Sequence, residues 1–165
     1  MRRTTLLMLL VALLATGLVA GCGGDDKSKE EEAKEKYEEA YSPINDDIIE
    51  LGNEVGQAVN TARGKTDEAL ATQFASLGDR TRELNEKLEE LEAPEEYSDL
   101  DDRLVKALDV VATDLTEIGE AAEASDPSEA RKQAAELARH SVEVRTSRRE
   151  LARETGAKIT SGSGS

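Results

Sequence analysis

Apolar residues recur at intervals of three and four along most of this chain. The first stripe advances in steps of 4, 3, 4, 3, 4, 3 and 4, as Tyr37, Tyr41, Ile44, Ile48, Leu51, Val55, Ala58 and Ala62. This spacing places the side chains on one face of an α-helix. No segment shows the alternation of a half-buried strand, so we expect an all-α protein.

Three further stripes follow at the same spacing. The second comprises Leu70, Phe74, Leu77, Thr81, Leu84, Leu88 and Leu91. The third comprises Tyr97, Leu100, Leu104, Leu108, Val111, Leu115, Ile118 and Ala122. The fourth is weaker, because it places a serine and an arginine at core-type positions: Ala130, Ala134, Leu137, Ser141, Val144, Arg148 and Leu151. Four helices with one buried face each are therefore predicted.

Helix start and stop signals separate the four stripes. Gly64 is expected to end the first helix, and Thr66 caps the second. Pro94 opens the third helix, where a missing N–H costs nothing, and Asp126 caps the fourth. Gly156 closes the fourth helix.

The intervening loops are short, so successive helices must run antiparallel. We predict an antiparallel up-down-up-down four-helix bundle over residues 37–156, behind a signal peptide and a charged tether. Its helices are expected at about 37–63, 67–92, 95–124 and 127–155. Residues 157–165 are expected to form a flexible tail rich in Gly and Ser.

Pro43 is the one ambiguous position in this scheme. Ser42 and Pro43, followed by Asp46 and Asp47, are typical of a fresh helix start. The first stripe nevertheless passes through Pro43 without a break. We favour one kinked, continuous helix over two separate helices.

The N-terminus has the layout of a targeting segment. Arg2 and Arg3 precede an apolar run over residues 6–15, and small residues dominate positions 16–21. This order is that of a secretory signal peptide. The run ends in Leu18-Val19-Ala20-Gly21-Cys22, which resembles the lipobox of bacterial lipoproteins.

The resemblance implies cleavage of the signal peptide, residues 1–21, between Gly21 and Cys22, and lipidation of Cys22. The protein would then lie on the extracytoplasmic side of the cell membrane, with the membrane as its partner through that anchor. Residues 22–36 would form the lipidated cysteine and a charged tether. An uncleaved membrane span over residues 4–20 and an ordinary signal peptide remain alternatives.

Charge restricts the partners that this chain can have. The 36 acidic and 21 basic residues give a formal charge of −15, which argues against nucleic acid as a partner. Residues 127–158 differ, with 8 basic and 5 acidic side chains. We expect the basic side chains to pair with the acidic first and third helices. The alternative is contact of the fourth helix with anionic lipid or wall polymer, through Arg145, Arg148, Arg149 and Arg153.

Candidate catalytic and metal-binding residues are sparse. His140 is the single histidine, so it cannot build a di-iron site of the kind found in helical bundles. We expect it at the surface or boundary of the bundle. Acidic clusters at 30–32, 46–50 and 99–102 lack the geometry of a calcium loop and are interpreted as solvated faces. We expect no enzyme activity, no cofactor and no metal site.

Two glycines and the weak fourth stripe suggest where a partner could bind. Gly52 and Gly56 lie within the first helix, where they either admit a neighbouring helix or bend this one. We predict a groove beside Gly52. Ser141 and Arg148 indicate a loosened seam along the fourth helix, which could be a ligand crevice or a site for another chain.

The segment Leu91-Glu92-Ala93-Pro94-Glu95-Glu96-Tyr97 and the overall pattern resemble small helical-bundle lipoproteins of bacteria, a family that implies no chemistry. We therefore expect a non-enzymatic interaction or scaffold module at the cell envelope, with an envelope protein as a possible partner. Its candidate contacts are Arg63, Lys65, Arg145 and Arg149. The alternative is a binding protein for a small cationic ligand or metal ion.

Overall fold

The computed structural model describes residues 25–159, with side chains from residue 29. The helices are α1 (Asp25–Thr61), α2 (Asp67–Glu89), α3 (Glu95–Glu123) and α4 (Pro127–Glu154), with a short 3-10 helix at Ala62–Gly64. This part of the chain contains no strand, and the four helices pack against one another. The predicted all-α, antiparallel four-helix bundle is confirmed. The predicted signal peptide and residues 21 and 22 lie outside the described residues.

The first helix is longer than its apolar stripe. It begins at Asp25 and runs through Pro43 as one helix, so the continuous alternative is correct. The charged segment expected to be a tether is therefore helical from residue 25 onward. Ion pairs with helical spacing favour this extension, such as Lys36 Nζ to Glu32 Oε1 at 2.7 Å.

Capping side chains begin the helices where the sequence predicts them. The Thr66 hydroxyl accepts a hydrogen bond from the Ala69 N–H at 3.3 Å. The Asp126 carboxylate accepts from the N–H groups of Ser128 and Glu129, each at 3.0 Å. Helix α2 ends at Glu89 rather than at the predicted residue 92, and a hydrogen bond from the Leu91 N–H to the Leu88 carbonyl at 3.0 Å tightens its last turn.

Close packing in the bundle occurs between α2 and α3. A Cβ at Gly78 would lie 2.8 Å from Thr116 Oγ1, and one at Gly119 would lie 3.2 Å from the Ala71 carbonyl oxygen. Only glycine allows these backbones to approach so closely. Gly52 and Gly56, in contrast, have no atom within 4 Å of a Cβ built on them. The suggestion that they admit a neighbouring helix is therefore wrong.

Tyrosines hold the N-terminal half of α1 against α3 and α4. The Tyr37 hydroxyl donates to Asp101 Oδ1, and the Tyr41 hydroxyl donates to the Arg148 carbonyl at 3.4 Å. The Tyr97 hydroxyl donates to Glu38 Oε1 at 2.7 Å. The Tyr37 ring stacks on Tyr41 with 5.9 Å between centroids. These contacts fix the position of α1 in the bundle over its first half.

Asp101 corrects one expectation from the sequence. It belongs to an acidic cluster interpreted as a solvated face, yet only 6% of the residue is exposed. Burial raises the pKa of the Asp101 carboxyl, and the hydrogen bond from Tyr37 opposes that rise. Burial and the bond to Asp101 likewise raise the pKa of Tyr37. The sequence pattern did not indicate this pair because its members are far apart in the chain.

A candidate binding crevice

A crevice of about 430 Å³ separates the C-terminal half of α1 from α4. Residues 48–60 form one wall and residues 134–149 the other, and its floor is made of Thr81 of α2 with Leu108 and Val111 of α3. Ligand sites in proteins typically measure about 300–1,000 Å³. The crevice is therefore large enough for a small ligand.

The α1 wall is mainly aliphatic, with Asn53 and Asn60 as its polar side chains, and it carries a notch. Ile48, Leu51, Val55 and Val59 line it, together with Gly52 and Gly56. The two glycines are four residues apart and so lie on the same side of the helix. Because neither has a side chain or a neighbouring atom within 4 Å of a Cβ position, they leave the α1 side of the crevice open.

The α4 wall is built from the weak fourth stripe. Ala134, Leu137, Ala138, Ser141 and Val144 line it. Most of these side chains are short, so they do not fill the space towards α1. The predicted loosened seam, with a groove beside Gly52, is thus present as a crevice.

Three arginines, Arg145, Arg148 and Arg149, lie together at one end of the crevice. Arg148 donates from Nη1 to Asn45 Oδ1 at 2.9 Å, which sets the register of α4 against α1. Burial lowers the pKa of Arg148, and the neighbouring charge of Arg149 acts in the same direction. Arg145 and Arg149 are exposed, and Arg145 Nε donates to the Ser141 carbonyl at 3.2 Å. The arrangement presents positive charge and N–H donors.

The expected pairing of α4 cations with acids of α1 and α3 is not what the structure contains. Between α3 and α4 the basic partner lies on α3 and the acidic partners lie on α4. Arg103 of α3 pairs with Glu143 at 3.2 Å and with Glu150 at 2.8 Å. Among residues 29–159, no ion pair joins Arg145 or Arg149 to an acid of α1 or α3. Neither guanidinium group is therefore ion-paired with a neighbouring helix within the described residues.

Arg63 and Lys65 lie at the other end of α1, in and just after the 3-10 helix. Both are exposed, and Lys65 Nζ donates to Gln73 Oε1 at 2.5 Å. Arg63 is separated from Asn45 by about 27 Å along the helix axis, at about 1.5 Å per residue. The structure thus brings Arg145 and Arg149 together but places Arg63 and Lys65 at a separate surface.

A polar pair that the sequence pattern did not predict joins α3 to α4. His140 Nδ1 lies 2.7 Å from Asp114 Oδ2, with side-chain exposures of 39% and 7%. His140 is at the bundle boundary, as expected. The missed signal was the position of Asp114, three residues after Val111 and four before Ile118, which places it on the buried face. Within the described chain, no group of three or more His, Cys, Asp or Glu residues could hold a metal ion.

None of the helices described here combines the length and apolar character needed to cross a membrane. No protein-family model matches the chain, and no significant match to it is found among curated proteins or solved structures.

Proposed function

We propose that this protein is a lipid-anchored, non-enzymatic interaction module of the cell envelope, and that the α1–α4 crevice is its binding site. The crevice carries the proposal: it is a concave site between two helices, with aliphatic and small polar side chains along its walls and arginines at one end. That combination is typical of sites that bind a partner or ligand.

The geometry of α1 suits a protein held at a membrane by its N-terminus. The lipobox-like Leu18-Val19-Ala20-Gly21-Cys22 supports attachment through Cys22 on the extracytoplasmic side. Residues 25–48 of α1 span about 35 Å at about 1.5 Å per residue. An anchor at Cys22 would thus leave the crevice beyond the lipid head groups, where a partner can reach it.

The groups that line the crevice suit recognition better than proton transfer. Arginine keeps its proton in proteins, so Arg145 and Arg149 supply fixed charge and N–H donors. Asn53, Asn60 and Ser141 add hydrogen-bonding groups that do not titrate near neutral pH. These residues can orient a bound group and select it by charge.

The alternative, a binding protein for a small cationic ligand or metal ion, has no observation in its favour. The crevice carries positive charge, which repels a cation. The acidic clusters of the described residues are not arranged as a group of ligands.

Photo-crosslinking in living cells tests the interaction module. A photoreactive residue at Val59 would lie at the crevice, and one at Val110 of α3 is the matched control, since both valines are 40% exposed. We expect a discrete adduct from Val59 that Val110 does not form. A third position, Lys65, reports on the surface at the far end of α1. Identical adducts from Val59 and Val110, or none from either, would contradict the proposal.

The anchor is tested separately by metabolic labelling with a clickable fatty acid in bacteria that produce the full chain. We expect label and membrane fractionation for the unchanged protein and neither for Cys22→Ser. Label that persists in Cys22→Ser, or no label on the unchanged protein, would rule out this attachment.

A further inference from the structure

We propose that the crevice binds a single-chain amphiphile with an anionic head group, a long-chain carboxylate being the simplest example. Its alkyl chain would lie between α1 and α4, and its head group would lie beside the exposed Arg145 and Arg149. This inference rests on the crevice being the binding site of the proposed function, and it specifies the ligand.

Charged and uncharged side chains are separated along the crevice. The bond between Asn45 and Arg148 fixes the register, and α4 runs antiparallel to α1. The arginines therefore lie level with Ile48, whereas Ala134 lies level with Val59, about 17 Å further along the helix axis. A site that is charged at one end, and uncharged with many aliphatic side chains over the rest of its length, matches a molecule with a charged head and an alkyl chain.

The charge at the arginine end of the crevice is opposite to the net charge of the chain. The chain as a whole carries −15, yet three arginines converge at this one site. Arg145 and Arg149 are four residues apart on α4 and both are exposed, a spacing at which like charges repel each other. An anionic head group between the guanidinium groups would offset their repulsion and could accept several charge-assisted hydrogen bonds.

Away from the arginines, the crevice has a shape and a lining that suit an alkyl chain. Its walls include Val55 and Leu137, and its floor includes Leu108 and Val111. The notch at Gly52 and Gly56 leaves one long side open, so a flexible chain can enter sideways without displacing a helix. Removal of the alkyl chain from water would then drive binding.

Titration calorimetry with the segment 23–165, which contains every core residue, tests the proposal. The probes are laurate, dodecyltrimethylammonium and acetate, each below its micelle concentration. We expect saturable one-to-one binding of laurate and no detectable binding of acetate. Dodecyltrimethylammonium, with the same tail and the opposite charge, should bind about tenfold more weakly or worse, because it meets the arginines instead of pairing with them.

Two variants separate the head-group site from the alkyl site. Arg145→Gln combined with Arg149→Gln should weaken laurate binding by about tenfold or more. Its control is Arg139→Gln combined with Arg153→Gln, which changes the net charge equally on the same helix and should leave the affinity unchanged. Gly52→Leu adds a side chain where there is open space, so it should abolish binding while it raises the melting temperature.

Absence of saturable laurate binding, or equal affinity for both surfactants, would overturn the proposal. Equal losses of laurate affinity in the two double-arginine variants would also overturn it, since the net charge of α4 would then be sufficient to explain the binding. A discrete protein adduct from Val59 together with no laurate binding would leave the proposed interaction module standing and reject the amphiphile.

Discussion

Arg148 of α4 donates a hydrogen bond to Asn45 of α1, with 2.9 Å between Nη1 and Oδ1, and both side chains are buried. Asn45 Nδ2 also donates to the Lys158 carbonyl at 3.1 Å, so this one amide joins α1 to α4 and to the segment that follows it. From this bridge towards the C-terminal end of α1, the two helices border the crevice. The bridge therefore lies near the arginine end of the crevice and holds Arg148 in place.

Asn45→Ala should destabilise the fold by about 2–3 kcal/mol, because it removes an acceptor from a buried guanidinium and a donor from the Lys158 carbonyl. Urea unfolding measures the loss. Asn53→Ala, an exposed change on the same helix, is the control, and it should alter the free energy of unfolding by no more than about 0.5 kcal/mol. Similar losses in both variants would show that the bridge does not stabilise the fold.

Glycine-to-alanine changes should have opposite effects in α1 and α3. Gly52→Ala should stabilise by about 1 kcal/mol, since its Cβ meets open space and alanine favours the helix. Gly119→Ala should destabilise by about 1–3 kcal/mol, because its Cβ would press on the α2 backbone at Ala71 and Ala75. Thermal unfolding compares the two, and a shift in the same direction would refute this account of helix packing.

Asp101→Asn should change how stability depends on pH. The folded-state pKa of Asp101 is raised above 3.8, so its favourable contribution is fully present below 3.8 and is lost as the pH rises through the raised pKa. Asparagine keeps an oxygen acceptor for Tyr37 but has no charge to bury. The stability of Asp101→Asn relative to the unchanged protein should therefore increase over this interval and then level off.

Urea unfolding at a series of pH values measures that difference. Asp99→Asn, an exposed change nearby, removes the same charge and should give a flatter difference. If the two variants gave the same curve, the effect would come from net charge rather than from burial of Asp101.

Asp126→Ala should lower the free energy of unfolding by about 1 kcal/mol, because it leaves the N–H groups of Ser128 and Glu129 without their capping acceptor. Thr66→Ala should cost less, as its hydroxyl accepts one longer bond, from Ala69 at 3.3 Å. Chemical unfolding measures both. Asp126→Asn retains an acceptor oxygen, so a loss as large as that of Asp126→Ala would contradict the capping role.

Local patterns predicted much of the fold and part of the site. The weak fourth stripe, with Ser141 and Arg148 at core-type positions, indicated the open seam before the structure located it. The same reasoning misassigned Asp101 to a solvated face and missed the His140–Asp114 pair. Both errors concern polar side chains that are buried by helices distant in sequence, where their surroundings depend on the register between helices.

The number, order and buried faces of the helices follow from local sequence patterns, because periodicity and caps such as Asp126 act within a few residues. Which helix faces pack closely and which stay apart is a property of the assembled bundle. Gly78 and Gly119 let α2 and α3 approach, whereas Gly52 and Gly56 face open space. That difference depends on how all four helices pack at once, since a helix can fill only the space that its neighbours leave.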